Sequence, residues 1–199
     1  LRRQLWLQWS GAIARRSQFP GYFTQLADRA TITVDSEVSK EISQDVVRTA
    51  PNHPFFNGKG SPGTLRLTNT LMALSLHQGL PEYHQAFSYI VAVLLLNMSQ
   101  EDGFWLMTVV LQHFLPLDYH YGTGLQHDLR ILVELITECF PDMEGHFQRQ
   151  QVDVSVFASG WIQGLFCAHF PFASASRFFD VMFAEGNTSL LVRVPMAFI

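Results

Sequence analysis

Ala86-Phe87-Ser88-Tyr89-Ile90-Val91-Ala92-Val93-Leu94-Leu95-Leu96 is the longest apolar run of the chain, interrupted by Ser88 and followed by Asn97. A bilayer crossing needs about 20 such residues, so the run reads as a helix buried in a protein core. Upstream of it, the Gly79-Leu80-Pro81 turn ends one helix, and Pro81 is predicted to open the next, with Tyr83 and Gln85 in its first turn. The helix before that turn is bracketed by Leu65, Leu67, Leu71, Leu74 and Leu76. Before it, residues 58–63 (Gly58-Lys59-Gly60-Ser61-Pro62-Gly63) form a loop. The stretch Ile42-Ser43-Gln44-Asp45-Val46-Val47-Arg48-Thr49-Ala50-Pro51 reads as a helix stopped at its end by proline. Downstream, three- and four-residue apolar spacing predicts helices over 100–114, 125–140, 154–170 (closed by Pro171) and 174–183. Alternating strand patterns are nearly absent, so the fold class is all-α. No internal repeat or low-complexity tract occurs.

Composition narrows the class. A chain of 199 residues suffices for one domain with a sizeable core. It is 48% hydrophobic and only 15% charged, against about 25% charge in an average globular chain, so much of its surface is expected to be buried or reserved for a partner. Net charge is −4 and the only lysines are Lys40 and Lys59, which argues against a nucleic-acid partner. The doublets Arg2-Arg3 and Arg15-Arg16 read as solvated helix faces. Cys139 and Cys167 lie inside apolar helical patterns, are read as small buried hydrophobes, and make no disulfide scaffold. No leader opens the chain, so a cytoplasmic location is expected. The start at Leu1 and the apolar end Pro195-Met196-Ala197-Phe198-Ile199 read as cuts from a longer protein. The 17 phenylalanines and the sparse charge leave room for an exposed apolar interface, and the assembly state stays open.

Few residues carry chemistry. Arg48 offers a fixed cation with forked donors, suited to charge developing on a transferring phosphoryl group, and the Gln85 amide suits the orienting of an attacking water. Asp45 precedes Arg48 by three residues and shares its helix face, so its carboxylate can hold the guanidinium; taken alone, that is first of all the spacing of an ordinary surface ion pair. The Tyr83 ring can pack beneath the glutamine, or be an ordinary half-buried aromatic. Trp6 and Trp161 read as core, and Arg2 as structural, with its stem along the Trp6 indole at a spacing of four. Asp118, His120, His127 and Asp128 cluster in sequence but match no zinc or calcium spacing, so no metal is expected. The segment around Lys59 lacks the residues of a phosphate-binding loop, and no Gly-x-Ser-x-Gly elbow exists. The apolar surroundings of both cysteines disfavour a reactive thiolate.

The order of these motifs resembles the TBC domain of Rab GTPase-activating proteins over essentially the whole chain. Arg2-Arg3-Gln4-Leu5-Trp6 is similar to the family's opening Arg-x-x-x-Trp, residues 42–48 to its Ile-x-x-Asp-x-x-Arg, and Tyr83-His84-Gln85 to its Tyr-x-Gln. Gly124-Leu125-Gln126-His127-Asp128, Phe140-Pro141-Asp142-Met143-Glu144, Trp161, and the stretch from Asp180 to Gly186 resemble later landmarks. The resemblance implies a two-lobed, all-helical domain lacking its last helices, with both finger motifs in a lobe of roughly 1–100 and a second lobe of roughly 101–199. It implies an activator of GTP hydrolysis by a Rab partner rather than a hydrolase. Arg48 falls on the arginine finger and Gln85 on the glutamine finger; Asp45, Ile42, Thr49 and Tyr83 support them, and Arg2 and Trp6 are structural. No cofactor of its own is implied, since GTP and Mg2+ belong to the Rab, and recruitment would be peripheral, at endomembranes in vesicle trafficking. Departures fall beside the glutamine, where the family's usual glycines are replaced by Glu82 and Ala86, and at Phe179-Asp180, where the family has Trp-Asp. They motivate an alternative: a TBC-like adaptor that binds a GTPase or another protein without stimulating hydrolysis.

Overall fold

A computed structural model describes residues 1–33, 36–115, 119 and 123–198. The described residues form twelve α-helices and no strand. In chain order these are α1 (Arg2–Trp9), α2 (Ala12–Gln18), α3 (Tyr22–Thr33), α4 (Ser36–Thr49), α5 (Pro62–Ser75), α6 (Gln85–Leu95), α7 (Gln100–Val109), α8 (Gly124–Cys139), α9 (Pro141–Arg149), α10 (Val154–Gln163), α11 (Phe172–Glu185) and α12 (Leu190–Phe198). No described helix is long and apolar enough to cross a membrane.

The apolar run behaves as its composition requires. Phe87, Ile90, Val91, Ala92, Val93, Leu94 and Leu95 are all buried, so α6 is covered on every side. It packs against α4, α5, α7 and α11. Helix α5 starts where Ser61 accepts the Thr64 N–H and Pro62 takes the first turn, so the predicted 58–63 loop loses its last two residues to the helix. Gly63 is obligatory there: its N–H donates to the Phe55 carbonyl at 2.9 Å, and a Cβ would sit 2.2 Å from that same oxygen. Helix α7 runs on as a π-helical turn, Val110–Phe114, which covers the predicted 100–114 element. Helices α9, α10 and α12 pack around α8, and α11 packs against α1 and α6.

Three sequence expectations need correction. The 154–170 helix ends at Gln163, although the apolar pattern continues. After Gly164, Leu165 and Phe166 take positive φ (45° and 61°), a costly region for bulky residues, and both are fully buried. Core burial and the Phe166 N–H to Trp161 carbonyl bond (2.8 Å) outweigh the preference to stay helical. Cys167 is buried and its thiol is pushed far up by burial, but Cys139 is exposed, on the outer side of α8. Trp6 is fully buried, whereas Trp161 is only partly so, against Phe157 and Phe198.

The arginine doublets are also corrected, because three of their four side chains reach carboxylates across the fold. Arg3 and Arg16 both pair with the fully buried Asp102 at the start of α7. Arg15 meets Gln112 and His113. Arg2 does not rely on the Trp6 indole; the two converge on Asp180 of α11, Arg2 through Nε and Nη2 (2.9 and 3.0 Å) and Trp6 through its indole N–H (2.9 Å). Burial pushes the Asp180 carboxyl up, but the bonds from Arg2 and Trp6 outweigh it and hold the group below its ordinary value. A carboxyl depressed in the folded state contributes stability above its ordinary value near pH 4, lost as pH falls through the folded value. Asp180→Asn is therefore expected to lower the melting temperature at pH 7 and to flatten its decline between about pH 5 and pH 2. Parallel acid profiles for parent and variant count against this account.

Candidate functional site

The site begins with the periodicity of α4. Ile42, Asp45, Val46 and Thr49 form its buried stripe, and Arg48 stands beside that stripe in the last turn, where the helix dipole favours a cation. Ile42 is fully buried and anchors the helix against the core. The turn that follows carries Pro51, which leads the chain out of the helix.

Asp45 is the hub. Its side chain is 5% exposed while that of Arg48 is 58% exposed, so a buried carboxylate carries a cation that faces solvent. Arg48 Nε donates to Asp45 Oδ1 at 2.9 Å and Nη2 donates to the same oxygen, which raises the guanidinium's affinity for its proton. Asp45 Oδ2 accepts the Tyr83 hydroxyl at 2.6 Å. Burial and that bond push the Tyr83 phenol far above its ordinary value, so it is a fixed donor. A plain surface ion pair has neither the burial nor the third partner. The residues expected to act as support are thus joined: Asp45 fixes Arg48 on its own helix and Tyr83 38 positions away.

Gln85 enters differently than the sequence predicts. Pro81 does not open α6; the residues from Pro81 to His84 are irregular, Gln85 is the first helical residue, and Tyr83 lies outside the helix. The cap is His84, in extended backbone, whose Nδ1 accepts the Ala86 N–H at 3.2 Å. An imidazole nitrogen does the work expected of a short polar side chain, which sequence rules do not anticipate. Gln85 is half-buried, and its amide makes no hydrogen bond to another described side chain or backbone group. Thr49 donates toward Ser88 Oγ at 2.8 Å, and Ser88 Oγ donates to the Gln85 carbonyl at 2.8 Å. Ser88 is the residue that the sequence reading missed; its signal was being the one polar interruption of the apolar run.

Other expectations place less. Glu82 is exposed and Ala86 half-buried beside Gln85. Asp118 and His120 lie outside the described residues; His127 and Asp128 are neighbours on α8, and no metal-holding cluster exists among the described residues. Beyond Thr49, a hollow of about 220 Å³ separates the end of α4 from the 167–172 segment, with Pro51, His53, Tyr89, Cys167 and Phe172 in its wall.

The all-helical fold of the described residues is that of a TBC domain. The chain belongs to the family described as the Rab-GTPase-TBC domain, whose profile matches residues 1–199. It is similar to a crystal structure of the Chlamydomonas flagellar RabGAP TBC domain, at a TM-score of 0.86 and 28% identity, covering 99% of this chain and 65% of that one. Among curated relatives, it is 34% identical to human TBC1 domain family member 2B over 149 residues, covering 74% of this chain and 15% of the relative. It is 29% identical to human small G protein signaling modulator 3 over 192 residues, covering 96% and 26%. The chain thus spans about a quarter or less of these relatives.

Proposed function

We propose that this domain accelerates GTP hydrolysis by a Rab-family small GTPase, presenting Arg48 to the phosphates and Gln85 to the attacking water. The observation that carries the reading is the solvent-facing Arg48 guanidinium seated on buried Asp45, which also fixes Tyr83 two residues before Gln85. GTP and Mg2+ come with the Rab. As water attacks the γ-phosphorus and the bond to the β–γ bridging oxygen breaks, negative charge grows on phosphate oxygens; a preplaced guanidinium stabilises it without reorganisation. Gln85, on the first turn of a helix locked in the core, has a rigid base from which its amide orients the water. The domain supplies groups and no covalent step of its own, and works at whichever endomembrane carries its Rab.

The test is single-turnover GTP hydrolysis across a panel of Rabs with substoichiometric domain. At least one Rab is expected to respond, and Gln85→Ala is expected to lose roughly tenfold or more of the stimulation. A folded domain to which no Rab responds removes the reading. Exposed Glu82 and the methyl of Ala86, next to Gln85, favour a second reading as an adaptor: stable capture of a GTP-loaded partner with unchanged turnover would select it.

A further inference from the structure

We propose that Ser88 is a positioning residue: together with Thr49 it forms the second half of a clasp by which α4 fixes Gln85 from both sides, making the arginine and the glutamine one rigid unit. The proposal rests on the reading of Gln85 as the residue that orients water. On the upstream side of Gln85, Asp45 Oδ2 holds the Tyr83 hydroxyl at 2.6 Å. On the downstream side, Thr49 and Ser88, 7% and 0% exposed, meet at 2.8 Å, and Ser88 donates to the Gln85 carbonyl at 2.8 Å. Thr49 offers its single proton to two acceptors, Ser88 Oγ and the Asp45 carbonyl at 2.7 Å, so the relay closes on the helix that carries Arg48. Buried hydroxyls must be satisfied, and Thr49 and Ser88 each bond a carbonyl of their own helix while the Thr49–Ser88 bond links the two helices. Apolar packing alone would let α6 slide or turn slightly against α4; directional bonds on both sides of Gln85 remove that freedom. A misplacement of about 1 Å in such a group is enough to cost up to a hundredfold in rate.

The test uses Ser88→Ala and the isosteric Thr49→Val, with Thr49→Ser as the variant that keeps the hydroxyl. Two readouts are taken: kinetics with a responsive Rab, and amide hydrogen exchange over residues 86–89 of the free domain. Expected are a kcat lowered tenfold or more with KM unchanged for Ser88→Ala and Thr49→Val, near-parent behaviour for Thr49→Ser, and about tenfold faster exchange confined to 86–89. Adding Ser88→Ala to Gln85→Ala is expected to cost nothing more, because the clasp acts through the glutamine. Parent-like kinetics and exchange in both variants overturn the proposal, and so does a uniform rise in exchange along the whole chain, the mark of general destabilisation. If no Rab responds to the parent domain, the functional reading fails on its own, and the local exchange measurement still decides whether the clasp exists.

Discussion

Arg48→Ala is expected to abolish nearly all stimulation of GTP hydrolysis, by roughly 10³-fold or more, while the domain stays folded and its binding of a GTP-loaded Rab is nearly unchanged. The separation follows from where the group sits. More than half of the Arg48 side chain is in solvent, and its partner Asp45 keeps the Tyr83 bond when the guanidinium is removed. Truncation therefore deletes charge from the site without opening a cavity. Arg48→Lys is expected to recover little: an ammonium on a flexible stem cannot bond Asp45 through one edge and phosphate oxygens through another, as a planar fork can. In Arg48 the Asp45 side is taken by Nε and Nη2, which leaves Nη1 for the partner. Stimulation by Arg48→Ala at the parent rate would sink the mechanism. A parent without activity would leave nothing for the variant to lose, which is the adaptor's signature.

How far the sequence disclosed this arrangement depends on the range of each interaction. Local periodicity was legible: the helix that carries Ile42, Asp45 and Arg48 and the burial of α6 follow from residues close in the chain, whereas the burial of Asp45 does not. The pairing of Asp45 with Arg48 was legible for the same reason, since a spacing of three shares a helix face. Where distant contacts outweighed local preference, reading failed. The apolar pattern through 154–170 hid the break at Leu165 and Phe166, which only core burial sustains. His84 does not advertise itself as a cap, and Ser88 reads as a blemish in an apolar run until Thr49, 39 positions away, is placed against it. Charge doublets are the plainest case, because only the fold reveals that Arg2 pairs with Asp180 and that Arg3 and Arg16 share Asp102.

Those doublets carry the largest stability effect expected here. Asp102 is fully buried at the start of α7, where Ser99 donates to Oδ2 at 2.8 Å and accepts the Asp102 N–H at 3.3 Å. Its charge is balanced by Arg3 of α1, through Nε at 2.7 Å, and by Arg16 of α2. The exposures are unequal: the arginine side chains are 51% and 34% exposed, the aspartate 0%. Removing the cations strands a charge that has no route to water, whereas removing the carboxylate frees two arginines that can turn outward. Arg3→Ala/Arg16→Ala is therefore expected to cost about 2–4 kcal/mol, or roughly 4–16 °C in melting temperature, and Asp102→Asn clearly less. Either single arginine variant is expected to cost less than half of the double, because one cation still answers the carboxylate. Thermal melts of the four variants decide it: if Asp102→Asn is the most damaging, the buried carboxylate is needed for its own bonds to α7, and the arginines are ornaments on a helix that would stand without them.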